Sequence, residues 1–306
     1  MIARCPRCQA RYRGKLLRCP FDGAELEAAP GDLTGTTLEG RFTVGEAIGA
    51  GAIGVVYHAA DDDGTAVAVK ALHRDLMESS SYRERFSREA RAMTRVAHRA
   101  VVEVLAVSDA DARPPWLAMR LYRGETLRAA LERGAFSVER AHRIVCEIAR
   151  GLSVAHGAGV VHRDLKPANV MLVVDAEGEG RPVVFDFGLA GVQGEAGLTD
   201  TGEIIGTPLY MSPEQIRSEA ACPAMDQYAL GCLWFEMLAG RAPFNGKPSA
   251  VLDGHLATPA PSIDAVVRGV PRDQAETIAA LLAKTTEPRA LAFARLTAQK
   301  MESGLF

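Results

Sequence analysis

The sequence predicts an α+β chain built as a small antiparallel β-rich lobe followed by a larger, mainly helical lobe, with a small cysteine-containing module in front. Three observations carry this. Short apolar runs separated by Gly- and Asp-rich turns occupy the stretch from Phe42 to Leu121. Helical periodicity dominates after Gly124. The first 26 residues have a composition of their own, with three cysteines and six basic residues against two acidic ones.

The boundaries follow from composition. Residues 1–26 form the leading module and 27–37 a linker, centred on Ala28-Ala29-Pro30-Gly31-Asp32. Residues 38–300 form the main domain, its first lobe spanning about 38–120 and its second about 124–300. The 306 residues, 48% hydrophobic and 24% charged, suit a folded chain with a sizeable core and exclude a disordered, collagen-like or coiled-coil chain. A net charge of −3 gives no reason to expect a nucleic-acid or membrane surface overall. No apolar run reaches membrane-spanning length; the nearest, Tyr228 to Leu238, contains Glu236. The start has no signal-peptide character, so a reducing, cytoplasmic setting is expected. Cys146, Cys222 and Cys232 read as ordinary small apolar residues.

In chain order, Phe42–Val44, Val55–Tyr57 and Ala66–Val69 read as strands. Ser79 to Ala97 reads as a helix, with three serines available as caps and Phe86, Ala90, Met93 and Ala97 on one face. Val101–Val107 and Trp116–Leu121 read as further strands. Ser137 caps a helix with the stripe Val138, Ala141, Ile144, Val145, Ile148 and Leu152, ended by Gly157 or Gly159. Asp226 to Leu238 is apolar almost throughout and reads as a helix buried on most sides. A seam between two lobes is a usual ligand site.

Ile48-Gly49-Ala50-Gly51-Ala52-Ile53-Gly54-Val55-Val56 contains G-x-G-x-x-G-x-V. Glycines let backbone approach phosphates but also serve plain turns. Dinucleotide binding wants a helix next and an acidic residue some 20 positions on. Here Val55–Tyr57 continues as a strand, and Lys70 stands near the position where that acid would fall. Both facts favour a flap over a nucleoside triphosphate. Lys70 alone could be a surface lysine leaving a strand. Glu89, on the inward face with Phe86 and Met93, is costly there unless paired, and Lys70 is its natural partner. His162-Arg163-Asp164-Leu165-Lys166-Pro167-Ala168-Asn169, followed 22 residues after Asp164 by Asp186-Phe187-Gly188, carries the carboxylates, lysine and carboxamide that phosphoryl transfer needs.

These motifs, with Gly206-Thr207-Pro208-Leu209-Tyr210-Met211-Ser212-Pro213-Glu214, Asp226–Gly231, Gly240–Phe244 and Arg289, resemble the eukaryotic-like protein kinases, in particular the bacterial serine/threonine kinases. The resemblance covers about residues 38–300 and implies the two-lobed protein kinase fold. It implies that Gly49, Gly51 and Gly54 cover phosphates, that Val56 and Ala68 face Met171 across adenine, and that Met119 is the gatekeeper with the Arg120 carbonyl and Tyr122 amide as hinge contacts. Lys70, held by Glu89, would contact the α- and β-phosphates; Asp164 would be the catalytic base and Lys166 would steady the γ-phosphate. Asn169 and Asp186 would ligate Mg²⁺ or Mn²⁺, and Glu214 would pair with Arg289. Thr199 and Thr201 would be regulatory phosphosites read by Arg163. Lys166 with Thr207 resembles the serine/threonine rather than the tyrosine subfamily. Arg120 in place of the usual acidic hinge residue, His98-Arg99 and Thr285-Thr286 depart from the pattern, none at a catalytic position.

Cys5-Pro6-Arg7-Cys8 and Cys19-Pro20-Phe21-Asp22-Gly23 look like the two knuckles of a zinc ribbon, with Asp22 standing where a fourth cysteine would be. A Cys5/Cys8/Cys19/Asp22 zinc site, a basic tail with idle thiols and a site recruiting another ligand remain open. The leading expectation is an ATP- and Mg²⁺-dependent protein serine/threonine kinase that also phosphorylates itself, with protein substrates and a homodimer for reaction in trans. The rivals are a pseudokinase scaffold and a regulator binding nucleic acid through the basic module. Nucleic acid is not expected as a partner, because a solvated basic face is commoner and only Tyr12 and Phe21 offer aromatic platforms there.

Overall fold

The computed structural model describes residues 2–7, 11–13, 16–20, 23–28, 32–51, 53–109, 111–174, 180–187 and 208–298. Cys8, Asp22, Ala52, Gly188, Thr199, Thr201, Gly206 and Thr207 lie outside the described residues. Two compact units are present: Met1–Arg95 with Glu103–Tyr122, and Val96–Val102 with Arg123–Phe306. No described helix is long and apolar enough to cross a membrane.

The first unit opens with β1 (Ile2–Arg4), β2 (Arg11–Arg13) and β3 (Glu27–Ala28), an antiparallel sheet in the order β2-β1-β3. Glu27 and Ala28, which composition assigns to the linker, pair with Arg4 and Ala3. Then come β4 (Thr37–Leu38), β5 (Phe42–Ala50), β6 (Gly54–Ala60), β7 (Ala66–Leu72), helix α1 (Ser80–Met93), β8 (Val104–Val107) and β9 (Trp116–Arg120). The strands form a six-stranded antiparallel sheet in the order β4-β5-β6-β7-β9-β8. Alternation sends Phe42, Val44, Val55 and Tyr57 into one core, where Phe42 meets Trp116 edge-on. β7, a central strand, is buried along nearly its whole length.

The expected helix from Ser79 to Ala97 is shorter in the structure. It ends at Met93, the Thr94 hydroxyl donates to the Arg91 carbonyl, and Ala97 is exposed while Val96 is buried. Ser79 is the N-cap residue, but its hydroxyl pairs with the Ser81 hydroxyl instead of accepting a backbone N–H. The expected strand Val101–Val107 is also split. Only Val104–Val107 joins the sheet; Val102 donates its N–H to the Val184 carbonyl, and Val101 bridges Val184, both within the second unit.

The second unit contains β10 (Gly124–Thr126), α2 (Leu127–Glu132), α3 (Val138–Gly157), β11 (Val170–Val174), β12 (Gly180–Val184), α4 (Pro213–Ile216), α5 (Pro223–Ala239), α6 (Pro248–Leu256), α7 (Ile263–Val266), α8 (Arg272–Leu281) and α9 (Thr286–Ala298). The strands form a small antiparallel sheet, β10-β11-β12. The Ser137 hydroxyl caps α3 by accepting the Arg140 N–H. Gly159, at φ +77°, follows the end of that helix in the left-handed conformation that glycine adopts without a Cβ clash. Fifteen consecutive residues of α5, Ala224 to Leu238, are buried, as their composition requires.

Candidate active site

In the second unit the segment 162–169 is held as one piece. Asp226 lies in the first turn of the buried helix α5 and is itself fully buried. Its Oδ2 accepts from the His162 N–H and His156 Nε2–H, each at 2.8 Å, and its Oδ1 accepts from the Arg163 N–H at 2.8 Å. Three donors therefore offset the desolvation of one carboxylate. The His162 ring is fixed at both nitrogens. Nδ1 accepts the Asp164 N–H at 3.2 Å, which leaves Nε2–H to donate to the Phe185 carbonyl at 2.9 Å. The ring also lies 4.7 Å from the Phe187 ring. Gln215, in the capping box that starts α4, donates to the Arg163 carbonyl at 2.6 Å. Arg163 and Asp186 both hold left-handed backbone, φ +65° and +64°. Non-glycine residues kept there are strained, and such strain concentrates at functional sites.

On this frame Asp164 Oδ2 accepts from Lys166 Nζ at 2.7 Å and from Asn169 Nδ2 at 3.0 Å. Asn169 Nδ2 also reaches the Asp164 carbonyl at 2.8 Å. The side chains of Asp164 and Lys166 are each 39% exposed. With the Asn169 amide nitrogen engaged on Asp164, the amide oxygen remains to ligate a cation. That oxygen and the Asp186 carboxylate are hard oxygen donors of the kind that would suit Mg²⁺.

In the first unit the glycine stretch closes a tight connection between β5 and β6, with the Gly51 N–H donating to the Gly54 carbonyl at 3.0 Å. The three glycines are present for different reasons. A Cβ on Gly54 would lie 2.2 Å from the Ala71 carbonyl oxygen, so close strand packing demands glycine there. A Cβ on Gly49 or Gly51 would meet only ordinary contacts, and neither has a positive φ. Packing does not require glycine at those two positions, whereas close approach of a ligand to the backbone would. Lys70, on β7 and paired in register with Val56, is buried, and Glu89 is buried with Phe86, Ala90 and Met93 on α1.

The protein kinase domain pattern matches residues 42–301. The chain belongs to the protein kinase family.

Among its relatives are two serine/threonine-protein kinases of Mycobacterium tuberculosis. PknJ is 34% identical over 257 residues, covering 83% of this chain and 44% of PknJ. PknL is 35% identical over 268 residues, covering 86% and 66%. The chain thus spans less than two thirds of the length of either relative. The crystal structure of a mutant form of the Mycobacterium tuberculosis PknI kinase domain matches with a TM-score of 0.65 at 26% identity, covering 86% of this chain and 96% of that one.

Against the family pattern, Ala68 on β7 pairs in register with Met119 on β9, and both are buried. Ile48 and Val56 are half-buried, Ala50 is exposed, and Ile53 and Val55 are buried. The Arg120 side chain sits at the surface on Glu103 at 3.0 Å, while its N–H donates to the Glu103 carbonyl. The Tyr122 hydroxyl accepts from the Glu103 N–H. Met171, in the second unit, is half-buried on β11. Glu214 and Arg289 form a buried bidentate pair at 2.8 and 2.5 Å. Burial opposes ionisation of Glu214, but the Arg289 hydrogen bond and charge outweigh it and hold the carboxyl below its ordinary value. In the leading module, Cys5 and Cys19 are buried, and the Gly23 N–H closes a turn onto the Cys19 carbonyl at 2.9 Å.

Asp226, His162, His156 and Gln215 organise the segment 162–169; His162 and Asp226 stand in stretches the sequence singles out, whereas nothing in the sequence marks His156 or Gln215 for this work. The available signal is an acid at the start of an otherwise apolar helix.

Proposed function

We propose that the chain transfers the γ-phosphate of ATP to serine and threonine hydroxyls of proteins, its own included. The observation that carries this is Asp164: one carboxylate oxygen is clamped by Lys166 and Asn169, and the partly exposed side chain has its other oxygen available for an incoming hydroxyl. The acceptor oxygen attacks the γ-phosphorus, and its proton passes to Asp164 Oδ1. The bond from the γ-phosphorus to the bridging oxygen breaks, and ADP departs with the electron pair. The Lys166 ammonium offsets charge on the moving phosphoryl group. Mg²⁺, when bound, neutralises phosphate charge; Asn169 and Asp186 would hold it. Lys70, partnered by Glu89, would contact the α- and β-phosphates, with Gly49 and Gly51 admitting them close to the backbone. Val56, Ala68, Met119 and Met171 would enclose adenine. The test is transfer from labelled ATP to a generic protein substrate and to the chain itself, followed by phosphoamino-acid analysis. Phosphoserine and phosphothreonine are expected, and Lys70→Met abolishes both. Wild-type turnover in Lys70→Met, or label on tyrosine alone, would refute the reading.

The leading module is read as a zinc ribbon in a cytoplasmic chain. The buried Cys5 and Cys19 and the turn onto Cys19 support it, because so small a piece has little other core. One zinc per chain by elemental analysis of chelator-free protein is expected; none would refute it. Thr199 and Thr201 are read as sites of reaction in trans between two copies, with Arg163 receiving the phosphate. Mass spectrometry of active protein checks this, and a fully active Thr199→Ala/Thr201→Ala double mutant would contradict it.

A further inference from the structure

His73 follows β7 directly, three residues after Lys70, and its buried side chain is turned toward the glycine stretch. Two bonds link it to that stretch. Its backbone N–H donates to the Ile53 carbonyl at 2.9 Å, and its ring Nε2 donates to the Gly51 carbonyl at 2.6 Å. A carbonyl can only accept, so the ring carries its proton on Nε2 in this contact. Neither packing nor backbone conformation requires glycine at position 51. A turn with so much glycine loses the most chain entropy when it orders. Fixing it in advance moves that cost from ligand binding to folding.

We propose that His73 is a positioning residue for ATP: its imidazole sets the Gly51 carbonyl, so the phosphate-covering turn is ordered before the nucleotide arrives. This rests on the reading that ATP binds here. The strand that carries Lys70 thus also holds the glycine turn, and two phosphate-facing elements share one support. The effect falls on affinity for ATP, since His73 takes no part in moving the phosphoryl group or the proton.

The test compares His73→Gln, whose amide nitrogen can occupy the Nε2 position, with His73→Asn, whose shorter amide cannot reach Gly51. Both are polar and both keep the backbone bond to Ile53. His73→Asn is expected to raise KM for ATP about five- to tenfold, with kcat within about twofold, as loss of one hydrogen bond would. The same loss should appear in titration with a fluorescent ATP analogue. His73→Gln should stay within about twofold of wild type in both. Amide exchange in the nucleotide-free full chain should quicken across residues 49–56 in His73→Asn and not in His73→Gln. Equal behaviour of the two variants in exchange and in KM would overturn the proposal. If His73→Asn does not fold, His73→Gln decides alone: wild-type exchange and KM uphold the proposal, and tenfold weaker ATP binding refutes it. A wild-type chain that bound no ATP would refute the function proposed above and the ATP role of His73 together, whereas matching exchange in the two variants would refute the His73 contact alone.

Discussion

The catalytic segment of the second unit and the glycine stretch of the first are held in opposite ways. The segment 162–169 is tied to a buried carboxylate, through its own buried imidazole to the Phe185 carbonyl, and to a neighbouring cap, and it tolerates left-handed backbone at Arg163 because those ties over-determine it. The glycine stretch is closed by the Gly51–Gly54 backbone bond and the two bonds from His73. The comparison teaches that the segment to which chemistry is assigned is made rigid by a buried carboxylate, whereas the stretch proposed to cover phosphates is held by a few neutral hydrogen bonds. It follows that substitutions and acid damage the second unit through its stability, while loosening the turn at Gly51 acts through affinity.

The largest effect on stability is expected at the pair between Glu214 on α4 and Arg289 on α9. Glu214→Ala leaves Arg289 buried without its carboxylate and should cost about 3–5 kcal/mol, read by denaturant unfolding. Because folding holds the Glu214 carboxyl below its ordinary value of 4.5, its contribution is present above about pH 4.5 and is lost as pH falls through the lower folded value. Glu214→Gln should flatten stability against pH in that acid range; an unchanged slope would show that the pair does not govern it.

Asp226→Ala comes next. It strands the His162 and Arg163 N–H groups and His156, and should cost about 3 kcal/mol, with turnover falling at least about tenfold as the segment loosens. Intact turnover in the folded variant would break the claim that buried charge sets the segment.

His255 supplies a pH test of similar size. It is fully buried; its Nδ1 accepts from the Tyr228 hydroxyl, which in turn accepts from Lys284 Nζ at 3.2 Å. Burial first, and the Lys284 charge second, push its pKa from 6.5 down to about 4. The unfolded chain therefore binds the proton more readily. Stability is complete above about pH 6.5 and should fall by about 3 kcal/mol on going down to pH 4. His255→Asn should remove that slope, which unfolding curves at several pH values would reveal.

The smallest effect separates the glycines. Gly51→Ala should leave the melting temperature unchanged and raise KM for ATP about tenfold, because its methyl intrudes on the ligand and not on the fold. Gly54→Ala, forced against the Ala71 carbonyl, should lower the melting temperature instead. The reverse pattern would remove the distinction drawn between the two positions.

Much of the fold is legible in the residues. The cap at Ser137, the buried run from Asp226 and the lysine on a buried strand are local signals, and each element forms where its pattern lies. Periodicity extends the first helix too far, to Ala97, because it cannot tell that Val96, one position off the stripe, is the buried residue. Val101 has strand composition yet pairs with Val184, 83 positions away, which no window detects. The eight-residue motif points to the chemistry, but in the second unit Asp226 bonds across 64 positions and in the first His73 bonds across 22, so these supports are tertiary facts.

The most direct measurement is single-turnover transfer of labelled γ-phosphate at saturating ATP, wild type against Asp164→Asn. Phosphotransfer should fall at least about 100-fold in the variant, as removal of a general base requires, while ATP affinity stays within about twofold. Equal transfer rates in the two proteins would contradict the assignment of Asp164 as the residue that takes the proton.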